Sequence, residues 1–146
     1  MISVYLPHCG YPQEDFDTSM EQIKVTIGTA RRQQRKCILG GDFNSQIGVG
    51  VRGDALLELQ SSFGLKLLNA VDDPWEKQWT FISTLSVKRK IDFLFASSAF
   101  GPNSAEAVSS INLGSDHRAV RTEILIGKCK KITVGKSQQV KVGIQK

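Results

Sequence analysis

The sequence predicts an α+β fold, a layered α/β arrangement in which a two-sheet β-sandwich is flanked by helices. Three observations carry this. Segments of strand character outnumber those of helical periodicity, and the two kinds alternate irregularly along the chain. The length, 146 residues, suffices for one domain and its core but not comfortably for two.

The elements follow in order. "ISVYLP" is β-rich and ends at Pro7, so the chain begins inside a strand. Residues 13–35 carry helical spacing, with Phe16, Met20, Ile23, Ile27 and Ala30 on one face. Acids come early in it and basics late, as the helix dipole favours. "KCILGG" is the next strand. "GDALLELQSSFG" is a second helix, with Ala55, Leu56, Leu59 and Phe63 on one face and Gly64 as its stop. "LKLLNA", "WTFIS", "KIDFLFAS" and "RAVRTEILI" have strand character and short polar connections. No internal repeat is visible and no linker precedes residue 128, which divides the chain into a domain over 1–127 and a tail over 128–146.

Charge follows the same division. The net charge is +5, yet the tail holds six Lys and no acid, leaving 13 basic against 14 acidic side chains in the body. A basic tail suits phosphate contacts or a solvated, partly disordered extension. No apolar run approaches the roughly 20 residues of a membrane helix. "MISVYLPHCG" lacks the basic start and apolar stretch of a secretory signal. Cys9, Cys37 and Cys129 are odd in number and far apart, which argues against a disulfide framework or zinc site. An intracellular, non-secreted protein without membrane contact is expected.

Polar groups in strand-like surroundings point to chemistry. In "GGDFN", Asp42 and Asn44 lie two apart, so extended backbone puts both on one face near a strand's carboxyl end. Gly40 and Gly41 leave room for another backbone or a ligand. The same residues also suit an ordinary turn that bonds its own backbone. In "KRKIDFLFAS", Ile91, Phe93 and Phe95 share one face and Asp92 shares the other with Leu94 and Ala96. A carboxylate there is costly unless it meets water, a cation or a histidine. "LGSDHRAV" offers that histidine: Asp116 and His117 are neighbours, and Gly114-Ser115 supplies the turn that lets both reach one site.

Taken together and in this order, these residues resemble the endonuclease/exonuclease/phosphatase superfamily of metal-dependent phosphoesterases. The matching stretches are "SVYLPHCG", "ILGGDFNSQIG", "WTFIS", "KRKIDFLFAS" and "GSDHRAV", over roughly residues 2 to 126. The set looks like the apurinic-type endonucleases of non-LTR retrotransposons and craniofacial development protein 2-like proteins. The resemblance implies a role for each residue. Asp42 helps deprotonate the attacking water, and Asn44 donates to the phosphate and stabilises its developing charge. Asp92 orients His117, which contacts the scissile phosphate as a proton-transfer or electrostatic group. Asp116 contributes, with Asp42 and Asn44, to a Mg²⁺ or Mn²⁺ site. Tyr5 matches a tyrosine close to the phosphate.

The resemblance starts at the family's central tyrosine strand. Earlier family strands carry an Asn and a metal-binding Glu, and Glu14 and Glu21 do not replace that Glu because they lie on a following helix. A fold incomplete at its N-terminus is therefore expected, with an exposed sheet edge. Two kinds of function stand open: a metal-dependent phosphodiesterase, or a non-catalytic fragment or nucleic-acid-binding module. Within the enzyme class, DNA cleavage is expected ahead of phosphoinositide or sphingomyelin hydrolysis, and DNA as partner suggests a nuclear location.

Other features weigh less. Trp75 and Trp79 suit base stacking or core packing, with the core expected for Trp79. Lys88, Arg89 and Lys90 suit either phosphate steering or a solvated turn. His8-Cys9 lacks further ligands and is expected to be structural.

Overall fold

The computed structural model describes residues 1–69, 75–98, 100, 105–108 and 114–124. Its elements are β1 (Ile2–Tyr5), α1 (Gln13–Arg32), β2 (Ile38–Asp42), α2 (Gly50–Ser62) and β3 (Leu65–Leu67). They continue with α3 (Trp75–Gln78), β4 (Phe81–Ile82), β5 (Lys88–Arg89), β6 (Asp92–Ser97), β7 (Ala105–Val108) and β8 (Ala119–Thr122). A four-stranded sheet runs in the order β1-β2-β6-β3, with β1 parallel to β2 and the other pairs antiparallel. The pairs β4-β5 and β7-β8 are small antiparallel sheets of their own.

Alternation along the strands sorts the four-stranded sheet into two faces. Val4, Leu39, Phe93 and Phe95 pack against Phe16, Met20, Ile23 and Ile27 of α1 and Leu56 and Leu59 of α2. Phe43 sits among them, with its ring 5.3 Å from Phe95 in an edge-on arrangement. Each buried side chain of this size contributes about 1.5–3 kcal/mol of burial energy, so this face holds the principal core. On the opposite face Ile38, Leu94 and Ala96 meet Leu68, Phe100, Val120 and Ile124, which brings β8 across the sheet. Helices thus cover one side and strand pairs lie toward the other, the α+β class expected from the sequence.

Gly41 is where the close approach foreseen at "GG" occurs. It has φ +151°, and a Cβ there would lie 1.9 Å from the Val4 carbonyl oxygen. Only glycine lets β1 pass so near the end of β2.

Element boundaries differ from expectation in ways the backbone explains. Helix α1 stops at Arg32, because Gln34 turns left-handed at φ +55° and the N–H groups of Gln34 and Arg35 return to the Arg31 and Ala30 carbonyls. That is a Schellman closure. Helix α2 starts at Gly50, earlier than the predicted Gly53, and Gly64 follows its end at φ +54°. Gly53 lies inside the helix where the preceding loop presses on it: a Cβ there would meet the Gln46 oxygen at 2.2 Å. The strands of "LKLLNA", "WTFIS" and "RAVRTEILI" are shorter than their apolar runs, and α3 and β7 were not foreseen. No helix among the described residues is long and apolar enough to cross a membrane. The boundary at 127/128, the basic tail and Cys129 lie outside the described residues.

Candidate active site

Strand register builds the site. Tyr5 on β1 pairs with Asp42 on β2, and Asp42 pairs with Asp92 on β6, so three polar residues stand abreast across three strands. Directly opposed side chains on neighbouring strands have Cβ atoms about 4.5–5.5 Å apart. Asp92 occupies the face away from the principal core, as its alternation with Phe93 and Phe95 predicts, while Ile91, Phe93 and Phe95 are buried on the other.

His117 reaches the pair from the turn before β8. Its N–H donates to the Ser115 hydroxyl at 3.1 Å, its backbone bridges to Phe81, and its ring packs on the Phe81 ring at 5.0 Å. Nδ1 lies 3.0 and 3.2 Å from the two carboxylate oxygens of Asp92. A carboxylate accepts, so this geometry assigns the proton to Nδ1 and leaves Nε2 its lone pair. Nε2 faces Asp42 Oδ2 across 3.9 Å, too far for a direct hydrogen bond and close enough to flank a shared ligand. Side-chain exposures of 13% for Asp42, 16% for Asp92 and 30% for His117 keep the cluster reachable from solvent.

Burial, foremost, pushes the Asp42 carboxyl above its ordinary range, and the charges of Asp92 and Asp116 push the same way. The hydrogen bond from the Asn44 N–H pulls it down in part, as would a positive charge on His117. Two like charges held opposite each other on adjacent strands favour a cation between them. One atom each from Asp42, Asp92 and His117 lie within 4.8 Å of one another, a donor set that fits a small divalent ion.

The other predicted residues sit around this cluster. Asn44 is not in extended backbone beside Asp42 as expected. Strand β2 ends at Asp42, and Asn44 has φ +49° with its N–H donating to Asp42 Oδ1 at 2.8 Å. The ordinary turn and the site are thus the same structure, because the Asp42 side chain captures the chain after the strand. The Asn44 side-chain amide donates to the Leu6 carbonyl at 2.7 Å. Tyr5 is abreast of Asp42 but 75% exposed. Asp116 is exposed and lies outside the three-residue cluster, though its charge is felt at Asp42. Its carboxylate accepts from the Ser115 hydroxyl at 3.5 Å, and its carbonyl accepts the Ile82 N–H at 2.9 Å.

Sequence reasoning missed Asn69 and Thr80, which are 3% and 0% exposed. The Asn69 amide donates to the Asp92 carbonyl at 2.9 Å and its Oδ1 accepts the Leu94 N–H at 3.0 Å. The Thr80 hydroxyl accepts the N–H groups of Ile91 at 3.1 Å and Asp92 at 3.0 Å. The only signal was a polar residue inside each apolar run, "LKLLNA" and "WTFIS".

Trp79 is buried, in line with the core expectation, and carries the Arg118 guanidinium over its ring at 3.2 Å and Lys88 Nζ at 5.1 Å. Trp75 is exposed. Lys90 is a structural residue, donating to the Asn69 carbonyl and to Gln78 Oε1, whereas Lys88 and Arg89 form the exposed strand β5. His8 Nδ1 accepts the Gly10 N–H at 3.0 Å and its ring meets Tyr11 at 4.6 Å, a local turn as expected.

Sequence comparison gives the family. The chain belongs to the endonuclease/exonuclease/phosphatase superfamily: the family model described as endonuclease–reverse transcriptase matches residues 1–121. No curated protein matches the chain. Among solved structures it is similar to a mannosyl-6-phosphatase from Bacteroides thetaiotaomicron, at 17% identity and a TM-score of 0.57. That match covers 85% of this chain and 50% of the phosphatase chain, so this chain spans half the length of that relative. It is also similar to an endonuclease/exonuclease/phosphatase family protein from Leptotrichia buccalis, at 18% identity and a TM-score of 0.48, over 67% of this chain and 40% of the other.

Proposed function

We propose that this chain contributes the Asp42–Asp92–His117 part of a metal-dependent phosphodiesterase centre that cleaves DNA in a retroelement-type endonuclease. The observation that carries the reading is the convergence of two opposed carboxylates and an imidazole fixed by one of them. The description of the matching family as endonuclease–reverse transcriptase supports DNA over an inositol or sphingolipid phosphoester, and the exposed Lys88 and Arg89, shortly before β6 in sequence, suit a phosphate backbone. A DNA substrate agrees with action in the nucleus.

Asp42 Oδ1 is held by the Asn44 N–H, so Oδ2 is the oxygen able to take a proton from an attacking water. The second N–H of the Asn44 amide is available to a phosphate oxygen once the first is committed to Leu6. His117, with Nδ1–H on Asp92, presents Nε2 to the phosphate, where it holds or passes a proton. Asp42 and Asp92, the opposed carboxylates of the cluster, would hold Mg²⁺ or Mn²⁺ with Asn44 and Asp116 at its edge; such an ion would supply charge neutralisation for the phosphate. Tyr5 stands at the rim where substrate would pass.

Nicking of supercoiled plasmid with Mg²⁺ or Mn²⁺ is the test. Activity that disappears in Asp42→Ala and in His117→Ala supports the assignment, and equal nicking by both variants overturns it. DNA binding without nicking by the unaltered chain would favour the non-catalytic binding module.

A further inference from the structure

We infer that Thr80, assisted by Asn69, is the positioning residue that holds Asp92 and His117 in contact; this rests on the reading of that pair as hydrolytic machinery. The inference begins where β3 gives out. Its last pair is Leu67 with Phe95, followed by one bond from the Leu68 N–H to the Leu94 carbonyl at 2.8 Å. On that side of β6 no β3 residue pairs with Asp92. Buried backbone groups without partners are expensive, so something must replace the strand.

Two buried side chains do so. Asn69 takes the Leu94 N–H and gives its amide hydrogen to the Asp92 carbonyl, as a neighbouring strand would. The Thr80 hydroxyl takes the Asp92 N–H. Thr80 also has a second connection. Its carbonyl accepts the Arg118 N–H at 2.6 Å, and the adjoining residues of β4 continue the contact: Phe81 bridges to His117 and the Ile82 N–H reaches the Asp116 carbonyl. One residue therefore grips Asp92 with its side chain and the His117 turn with its backbone. Asp92 and His117 are 25 positions apart, and Thr80 sets the geometry in which Asp92 Oδ2 meets Nδ1 at 3.0 Å.

Losing the hydroxyl should therefore loosen a side-chain contact made elsewhere, which simple loss of packing would not do. Thr80→Val keeps the shape and removes the acceptor; Thr80→Ser keeps the acceptor. In nitrogen-15 NMR spectra of the full chain, the Nδ1–H proton of His117 bonded to Asp92 is expected in the unaltered protein and in Thr80→Ser, and lost in Thr80→Val. Where nicking is measurable, kcat should fall on the order of tenfold to a hundredfold in Thr80→Val with KM nearly unchanged, and Thr80→Ser should restore it. Should Thr80→Val not fold, amide hydrogen exchange of the unaltered chain decides: the Asp92 and Arg118 amides should open together, as one unit. A folded Thr80→Val with the bonded Nδ1–H intact, or independent opening of those two amides, overturns the inference. Absence of nicking with the NMR signature present would instead count against the proposed reaction and leave the positioning role standing.

Discussion

Asp42 and Asp92 face each other across neighbouring antiparallel strands, and His117 spans them, bonded through Nδ1 to one and aimed through Nε2 at the other. Opposed like charges weaken a strand pair, and burial, foremost, with the Asp92 charge adding to it, makes the Asp42 carboxyl hold its proton more tightly than a solvated one. Three consequences of this arrangement, and one of the backbone packing beside it, can be measured.

Asp42→Asn should stabilise the metal-free protein at neutral pH while removing its activity. Raised proton affinity in the fold means that ionised Asp42 opposes folding. The penalty is complete above the folded pKa, shrinks as pH falls through it, and vanishes below the ordinary value of 3.8. Thermal unfolding in chelator should show Asp42→Asn melting a few degrees higher at pH 7, about 4 °C per kcal/mol relieved, with the difference closing in acid. A variant that melts lower at neutral pH would contradict this.

Divalent cations should stabilise the fold through the same residues. Mn²⁺ or Mg²⁺ at about 100 times its dissociation constant adds roughly 2.7 kcal/mol. The rise in melting temperature should be absent in the Asp42→Asn, Asp92→Asn double variant. Mn²⁺ should also broaden the NMR signals of Asp42, Asp92 and His117 before others.

Asp92→Asn tests the tautomer. An amide at position 92 can present its NH₂ to Nδ1, which would then accept, moving the imidazole proton to Nε2. Nicking should fall on the order of 10²–10⁴-fold, the usual size of a lost acid–base group, with the far-ultraviolet circular dichroism unchanged. Activity within about twofold of the unaltered chain would remove Asp92 from the mechanism.

Gly41→Ala should be among the most damaging single changes in the chain. Its Cβ would overlap the Val4 backbone, which no side-chain shift can relieve, at a cost of about 3 kcal/mol or more. Gly28 in α1 is the control, with nothing within 4 Å of a Cβ there. Gly28→Ala should stabilise by roughly 0.5–1 kcal/mol in urea unfolding.

Much of this architecture is legible in the residues. The α1 stripe of Phe16, Met20, Ile23 and Ile27 is buried as its periodicity demands, and Asp92 lies opposite Phe93 and Phe95 because strand alternation leaves no choice. The meeting of Asp42 with His117 was visible only through the motif set, since nothing local joins residues so far apart in sequence. The opposition of Asp42 to Asp92 depends on register, and register comes from long-range pairing that no short window contains. Asn44 escaped because a side-chain capture of its N–H overrode the extended geometry that spacing suggested. Asn69 and Thr80 escaped for a related reason. A buried polar side chain standing in for a strand has no periodicity, and its partners are backbone atoms that carry no sequence signature. The end of α1 at Arg32 likewise turns on Gln34 adopting a conformation more usual for glycine.

The most direct test is a double-variant cycle on plasmid nicking in Mn²⁺, using Asp42→Ala, His117→Ala and the two combined. Residues acting on one phosphate as a unit should each cost on the order of 10²–10⁴-fold, with the double variant little slower than the worse single. Losses that multiply independently, or nicking that survives in either single variant, would contradict a shared centre.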